Sequence, residues 1–359
     1  MLRYLFFIVI LIHALIHLMG FAKAFQWLEL EELTLPISKS MGLWWLAAAT
    51  LLFVSGLLLL FKSNYWPITA LVAFLVSQML IIQFWQDAKY ATVINVLIFV
   101  VAIFAWAGIQ FENRYHQDVQ RALSAQTQHQ LEILTEADIA HLPELVQQYI
   151  RYTGAIGKPQ IEQMRIRFTG KMRNKGEDWF DFTSEQHNFF ANPARLFFMK
   201  ARVNGLPTSG YHAYQEKQAR MQVKLLSAIP AVDLQDEELF RTETVTFFND
   251  LCLFAPAALI DERIVWDSIK AHSVRATFTN QGVSIAAVLS FNEAGELVNF
   301  VSDDRTEVNI GKQLRFSTPI SDYQTFNSYR LASYGEAIWE YPDGPFTYGT
   351  FSVQEVVYN

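Results

Sequence analysis

The chain is almost devoid of cysteine, with Cys252 alone in 359 residues. An internal disulfide is therefore excluded, and cysteine usage says nothing about which side of a membrane the chain faces. Charge is scarce in the first third. Of 28 Lys+Arg and 35 Asp+Glu, only five bases and four acids lie in residues 1–110, leaving 23 and 31, a net of −8, for residues 111–359. An acidic domain has no electrostatic footprint for nucleic acid, and an anionic membrane surface would repel it. Enzyme signatures are missing as well. The sequence contains no G-x-S-x-G, no H-E-x-x-H, no G-x-x-x-x-G-K-[ST] and no G-x-G-x-x-G after a strand.

The uncharged third holds four apolar runs, at about 4–22, 41–61, 66–85 and 90–110, and a bilayer-crossing helix needs roughly 20 such residues. The connections "KSNYWP" and "QDAK" are short, so the last three runs pack as antiparallel neighbours. Trp27, Trp44, Trp45, Trp66, Trp85 and Tyr90 mark segment ends, as an aromatic belt does. The first run has a weak basic flank, Arg3, and three more spans follow, so it reads as a retained helix rather than a cleaved signal. Lys/Arg counts in the short loops, four against three, place both termini and the large domain in the cytoplasm.

His13 and His17 lie four apart in the first run and share a helix face. At about 1.5 Å per residue, Gln78 and Asn95 fall at nearly the depth of His17. Polar groups in hydrocarbon turn inward and pair, so an interhelical layer of His13, His17, Gln78 and Asn95 is expected. A metal or haem reading lacks ligands, because the other three runs contain no His or Cys. A proton-responsive or ligand-responsive pair is the remaining reading. No metal or cofactor is indicated.

Beyond residue 110 the chain reads as a helical neck, 111–158, and a β-domain, 159–359. "ENRYHQDVQRALSAQTQHQLEI" is a polar helix. Thr135 and Asp138 form a capping-box pattern before Leu142, Leu145, Val146, Tyr149 and Ile150 at helical spacing. From 160 the period becomes two. Roughly ten strand-like runs follow, with hairpin chemistry at "NKGED", "NQG", "NEAGE" and "PDGP". A helix over 237–260, apolar from Val245 to Ile260, interrupts them and needs cover on all sides, which a curling antiparallel sheet provides. The fold class is thus membrane α plus α+β: four transmembrane helices, a neck and a curved, largely antiparallel sheet with an inserted apolar helix.

The stretches "ILTEADIAHLPELVQQYIRYTGAIGKP", "NGLPTSGYHAYQ", "FFNDLCLFAPAALID", "FVSDDR" and "WEYPDGPFTYGTF" resemble an uncharacterised bacterial membrane-protein family, a domain of unknown function with a β-rich C-terminal part. The likeness covers about 120–359 and implies no activity. The layout is more loosely similar to lipoprotein-carrier half-barrels, an analogy of fold that does not fix function.

The residues themselves point to a site on the inserted helix. Asn249 and Asp250 interrupt its apolar run, and a buried charge needs a partner; Arg241, Arg202 and Arg305 are the candidates. Phe247, Phe248, Leu251 and Phe254 are the expected lining of an apolar pocket, with Tyr341 and Phe346 at its rim. Cys252 reads as a buried core thiol, and His187 and His212 as structural histidines on strands. The leading function is binding of an apolar or lipid-like small molecule by a domain held at the lipid bilayer. A structural or sensory protein without a pocket is one rival. An enzyme using Asp250 with Asp303, Asp304 or Asp322 is the other, and it requires those carboxylates to meet in one cleft.

Overall fold

A computed structural model describes residues 2–126 and 131–359. The chain forms two compact units, divided between Glu112 and Asn113. Residues 127–130 of the polar helix expected over 112–133 lie outside the described residues.

The first unit consists of α1 (Leu2–Ala24), α2 (Lys39–Leu60), α3 (Trp66–Gln83), the short α4 (Trp85–Ala88) and most of α5 (Ala91–Ser124). The helices α1, α2, α3 and α5 are long and apolar enough to cross a membrane. Their packing differs from that of a water-soluble bundle in how much apolar surface it leaves outside. Ala14, Ala48, Ala49, Ala70, Ala73 and Ala102 are buried, while Ile12, Leu75, Met79 and Val93 are exposed. Small residues let helix backbones approach closely where no hydrophobic effect drives association. Gly20 is the sharpest case, because a Cβ there would lie 2.2 Å from the Trp45 indole of α2. The loop after α1 is held by Asp87 of α4, which accepts from Thr34 Oγ1 at 2.7 Å and the Leu35 amide at 2.9 Å.

The second unit contains α6 (Glu136–Ile139), α7 (Glu144–Tyr152), α8 (Glu237–Phe254) and thirteen strands. In chain order the strands are β1 (Gln163–Met172), β2 (Phe180–Phe189), β3 (Ala194–Val203), β4 (Leu206–Gln215), β5 (Gln218–Leu225), β6 (Ile229–Leu234), β7 (Ile264–Lys270), β8 (Ser273–Asn280), β9 (Val283–Phe291), β10 (Leu297–Glu307), β11 (Lys312–Phe326), β12 (Tyr329–Tyr341) and β13 (Gly344–Tyr358). They form one curved sheet in the order β6-β5-β4-β3-β2-β1-β13-β12-β11-β10-β9-β8-β7. All neighbours are antiparallel, and β1 pairs with β13 to join the two halves. The link from β6 to β7 connects opposite edges of the sheet, and α8 occupies it.

The helix therefore crosses the concave face, where 14 of its 18 residues are buried. It starts at a capped end, with Asp236 accepting from the Leu239 amide at 2.7 Å, and stops at Phe254 before a 3₁₀ turn, Pro256–Ala258. The ring of Pro256 and its missing N–H end the α-helix short of the expected residue 260. Leu134, Ile139, Leu142, Val146, Tyr149 and Ile150 join the same core from below α8, and Tyr149 donates to the Cys252 carbonyl at 3.1 Å. Thr135 and Asp138 make the capping box. On the convex face the last turns of α5 pack on β2 to β5: Tyr115 meets His187 at 2.9 Å, and Tyr211 donates to Asp118 at 2.7 Å.

Candidate functional site

Helix α8 has two faces of different chemistry. Phe247, Phe248, Leu251 and Phe254 face the closed core, the first three fully buried. Phe248 stacks on Phe278 at 5.2 Å, Phe247 packs on Tyr214 and Phe190, and Phe254 meets Phe168 edge-on. These side chains, expected at the wall of a pocket, are packed against sheet side chains within the core cluster.

The other face carries Thr242, Glu243, Asn249 and Asp250, and the sheet answers it with polar residues. One oxygen of Asp250 accepts from Arg195 Nε at 2.7 Å, Gln186 Nε2 at 2.8 Å and Asn188 Nδ2 at 3.3 Å. Arg195 also reaches Glu243 at 3.1 Å, and the second Glu243 oxygen meets His212 Nδ1 at 2.9 Å. Arg195, Glu243 and Asp250 are each more than nine-tenths buried. The partner of Asp250 is thus Arg195 of β3. Arg241 donates to the Ser284 carbonyl, Arg202 to the Gly205 carbonyl, and Arg305 to Tyr348. The signal for Arg195 lay in strand alternation, since it is in phase with Phe197 and Met199 and so faces inward.

The two carboxylates respond to burial differently. Burial opposes the charge on Glu243, but the hydrogen bond and charge of His212, aided by Arg195, outweigh it and hold the carboxyl at about 2. For Asp250 burial dominates and lifts the carboxyl above its ordinary range, against the pull of Arg195, Asn188 and Gln186. Burial likewise pushes the Cys252 thiol well up, which makes it an inert core residue. The convex-face His187 is lowered to about 4, chiefly by burial.

Above this polar face the concave sheet surface changes character. Phe182, Phe316, Ala337 and Trp339 are buried there, while Met199, Phe351 and Tyr348 stay half-exposed. Arg305 lies over the Phe316 ring at 4.1 Å and donates to Tyr348 at 2.8 Å. Of the buried polar atoms without a partner among the described residues, four belong to this unit: Ser184 Oγ on β2, Asn249 Oδ1 on α8, Arg305 Nε on β10 and Asn299 Oδ1, which alternates with Phe300 and so faces the other side of the sheet. Ser184 alternates with Gln186, which reaches α8, and Asn249 donates to Thr318, two residues from Phe316. Ser184, Asn249 and Arg305 therefore lie on the same, concave side of the sheet. A cavity of about 570 Å³ adjoins it between the start of β2 and the end of β3, lined in part by Trp179, Phe182, Lys200, Ala201 and Arg202. Tyr341 and Phe346 pack against each other at the nearby β12–β13 turn, beneath Lys175 and Arg173 respectively.

The carboxylates required for an enzyme centred on Asp250 are dispersed. Asp303 pairs with Arg315 at 2.8 Å on the surface, Asp304 accepts from the Ala286 amide at 2.7 Å, and Asp322 is exposed.

In the first unit, the four polar residues expected to form a layer join one hydrogen-bonded chain through a fifth, Ser77. His17 Nδ1 donates to the His13 carbonyl at 2.9 Å, and its Nε2 shares a hydrogen bond with Ser77 Oγ at 2.8 Å. Asn95 donates to Ser77 at 2.9 Å and to Gln78 at 3.0 Å, and its oxygen accepts from His13 Nε2 at 2.8 Å. The remaining ring nitrogen, His13 Nδ1, has no partner among the described residues. Ser77 was missed because a serine in an apolar run gives little hydropathy signal; its place beside Gln78 was the available clue. Among the described residues no three His, Cys, Asp or Glu side chains cluster as a metal would require.

The model of a family of unknown function, DUF6544, matches residues 132–351, and the chain belongs to that family. No curated protein matches it. Among solved structures it is similar to a LolA superfamily protein from Nitrosomonas europaea, at 7% identity and a TM-score of 0.34, over 60% of this chain and 93% of that one. It is also similar to a domain from Vibrio parahaemolyticus assigned to outer membrane lipoprotein sorting, at 10% identity and a TM-score of 0.36, over 60% and 91%. Similarity at that level carries no functional information.

Proposed function

We propose that the protein is a membrane-embedded, non-catalytic binding protein whose β-domain takes a lipid-like ligand on the concave face above α8. The observation behind this reading is the half-buried apolar surface of Met199, Phe351 and Tyr348 on the concave side, beneath which Ser184 Oγ, Asn249 Oδ1 and Arg305 Nε are buried without a partner among the described residues. Buried polar atoms are almost always paired, by protein, water or ligand. An apolar wall with a few convergent polar groups is the usual make-up of a small-molecule site. The apolar body would lie on Phe351 and Met199, and the polar end would meet Asn249 and Arg305. Asp250 serves as the anchor that fixes the polar face of α8 rather than as a ligand contact. Phe247, Phe248, Leu251 and Phe254 are its packed support.

Membrane embedding is supported by the many large apolar side chains that the first unit leaves exposed, among them Ile12, Leu75, Met79 and Val93. The loop charge count favours a cytoplasmic β-domain.

The test is photo-crosslinking of the full-length, detergent-solubilised protein with a diazirine fatty acid, followed by peptide mapping. Labelled peptides should come from β2, β3, β12 and β13. An Ala201→Trp variant, which fills the adjoining cavity, should lose most of that label. Label confined to Leu2–Ser124, where any membrane helix contacts lipid, would refute a site in the β-domain.

A further inference from the structure

One corner of the sheet carries apolar side chains outward. The β3–β4 and β5–β6 turns lie side by side at the same end of the sheet, because β4 pairs with β5 throughout. Leu206 is 45% exposed on the first and Ile229 48% exposed on the second. The tips are tied together: the Leu226 amide donates to the Pro207 carbonyl at 2.6 Å, and Ser209 and Ser227 share a hydrogen bond at 2.8 Å.

The β3–β4 turn uses Asn204 and Gly205 at positive φ, the residues that such a turn favours. The β5–β6 turn places Leu226 and Ser227 there, at φ 50° and 57°. A leucine pays a steric penalty in that conformation that Asn or Gly would relieve. What the leucine adds is an isobutyl group on the tip. Basic groups flank the corner: Arg202 is exposed beside Leu206, and Arg114, on α5, donates to Gln222 of β5 at 3.4 Å. Arg114 follows the apolar part of α5 by only a few residues, a rise of about 6 Å.

We propose that this corner, led by Leu206, Leu226 and Ile229, dips into the surface of the bilayer, with Arg202 and Arg114 at the depth of the lipid phosphates. Aliphatic tips flanked by arginines match an interface of acyl chains and phosphates. Acids lie close by as well, with Asp233 accepting from Gln222 at 3.0 Å and Glu177, Asp178 and Asp181 lining the cavity beside the β3–β4 turn, so the contact rests on the aliphatic tips and the two arginines rather than on net charge. The proposal rests on the reading that α1, α2, α3 and α5 cross the membrane.

The test uses the full chain at one copy per nanodisc of phosphatidylcholine and phosphatidylglycerol containing a doxyl-labelled lipid. Cys252 is buried and stays unreactive, so single cysteines carry a fluorophore at Ile229→Cys, Val265→Cys on the far edge and Val54→Cys on α2. Quenching at 229 should exceed that at 265 severalfold and approach that at 54. Leu226→Asn should lower quenching at 229 while raising the thermal midpoint of the β-domain. Equal quenching at 229 and 265, with 54 quenched, would overturn the proposal and leave the membrane reading intact. Absence of quenching at 54 would remove both. Quenching at 229 that appears only with two copies per disc would assign the corner to self-association and overturn the bilayer contact.

Discussion

At the scale of single residues, Arg195 is the pivot, because it neutralises two carboxylates that α8 brings inside the sheet. Removing one member of a buried ion cluster leaves an uncompensated charge, so Arg195→Ala should cost about 3–5 kcal/mol, measurable by denaturant unfolding. The two acids should behave differently. Glu243 sits below its unfolded value, so its stabilisation is present above pH 4.5 and lost as pH falls toward about 2. Asp250 is raised, so its ionised form weakens the fold above its own pKa, and protonation relieves that cost. Asp250→Asn, which keeps an acceptor for Gln186 and Asn188, should therefore be milder than Glu243→Gln at neutral pH. Glu243→Gln should also flatten the loss of stability between pH 4.5 and 2. Equal destabilisation by the two substitutions, with unchanged acid limbs, would contradict this division.

At the scale of elements, close helix contact decides the first unit and turn chemistry the second. Gly20→Val should push the Trp45 indole off α1 and disrupt the α1–α2 contact, since the added carbon falls inside the ring's contact distance. Intrinsic Trp emission and detergent thermal melts would report it, and a wild-type melt would exclude the close contact. These elements also show how far the sequence could be read. The four apolar helices were legible from length alone, and the sheet class from the period-two runs. Three of the thirteen strands were not. β4 and β5 merged into one run because Glu216 and Lys217 turn at positive φ without a glycine. β6 is a short, exposed edge strand with little alternation, and β7 was hidden behind the apolar helix. Asn249 and Asp250 were visible as breaks in an apolar pattern, but Arg195 required knowing which way β3 faces. The phenylalanines around them could equally have lined a pocket or filled a core, and only the packing against Phe190, Tyr214, Phe278 and Phe300 decides between these.

At the scale of the whole molecule, the chain has two cores built on different principles. The first unit buries alanines and a polar chain beside a few large apolar side chains such as Ile10, Leu52 and Ile98, and leaves many other large apolar ones exposed; the second hides most of its aromatics in one continuous cluster. The second core is also closed by a non-local connection, since α8 joins the two outermost strands. Loss of α8 would uncover the sheet from β4 to β12, so the second unit should unfold as a single cooperative step. In detergent micelles the helices of the first unit keep their internal hydrogen bonds and apolar surroundings, whereas urea acts on the surface that unfolding of the sheet exposes. Urea titration of the intact protein should therefore melt β-structure first and leave helical ellipticity to a later transition. Arg195→Ala should move only the first midpoint, and Gly20→Val only the second. A single transition that both substitutions shift together would mean that the two cores depend on each other for stability.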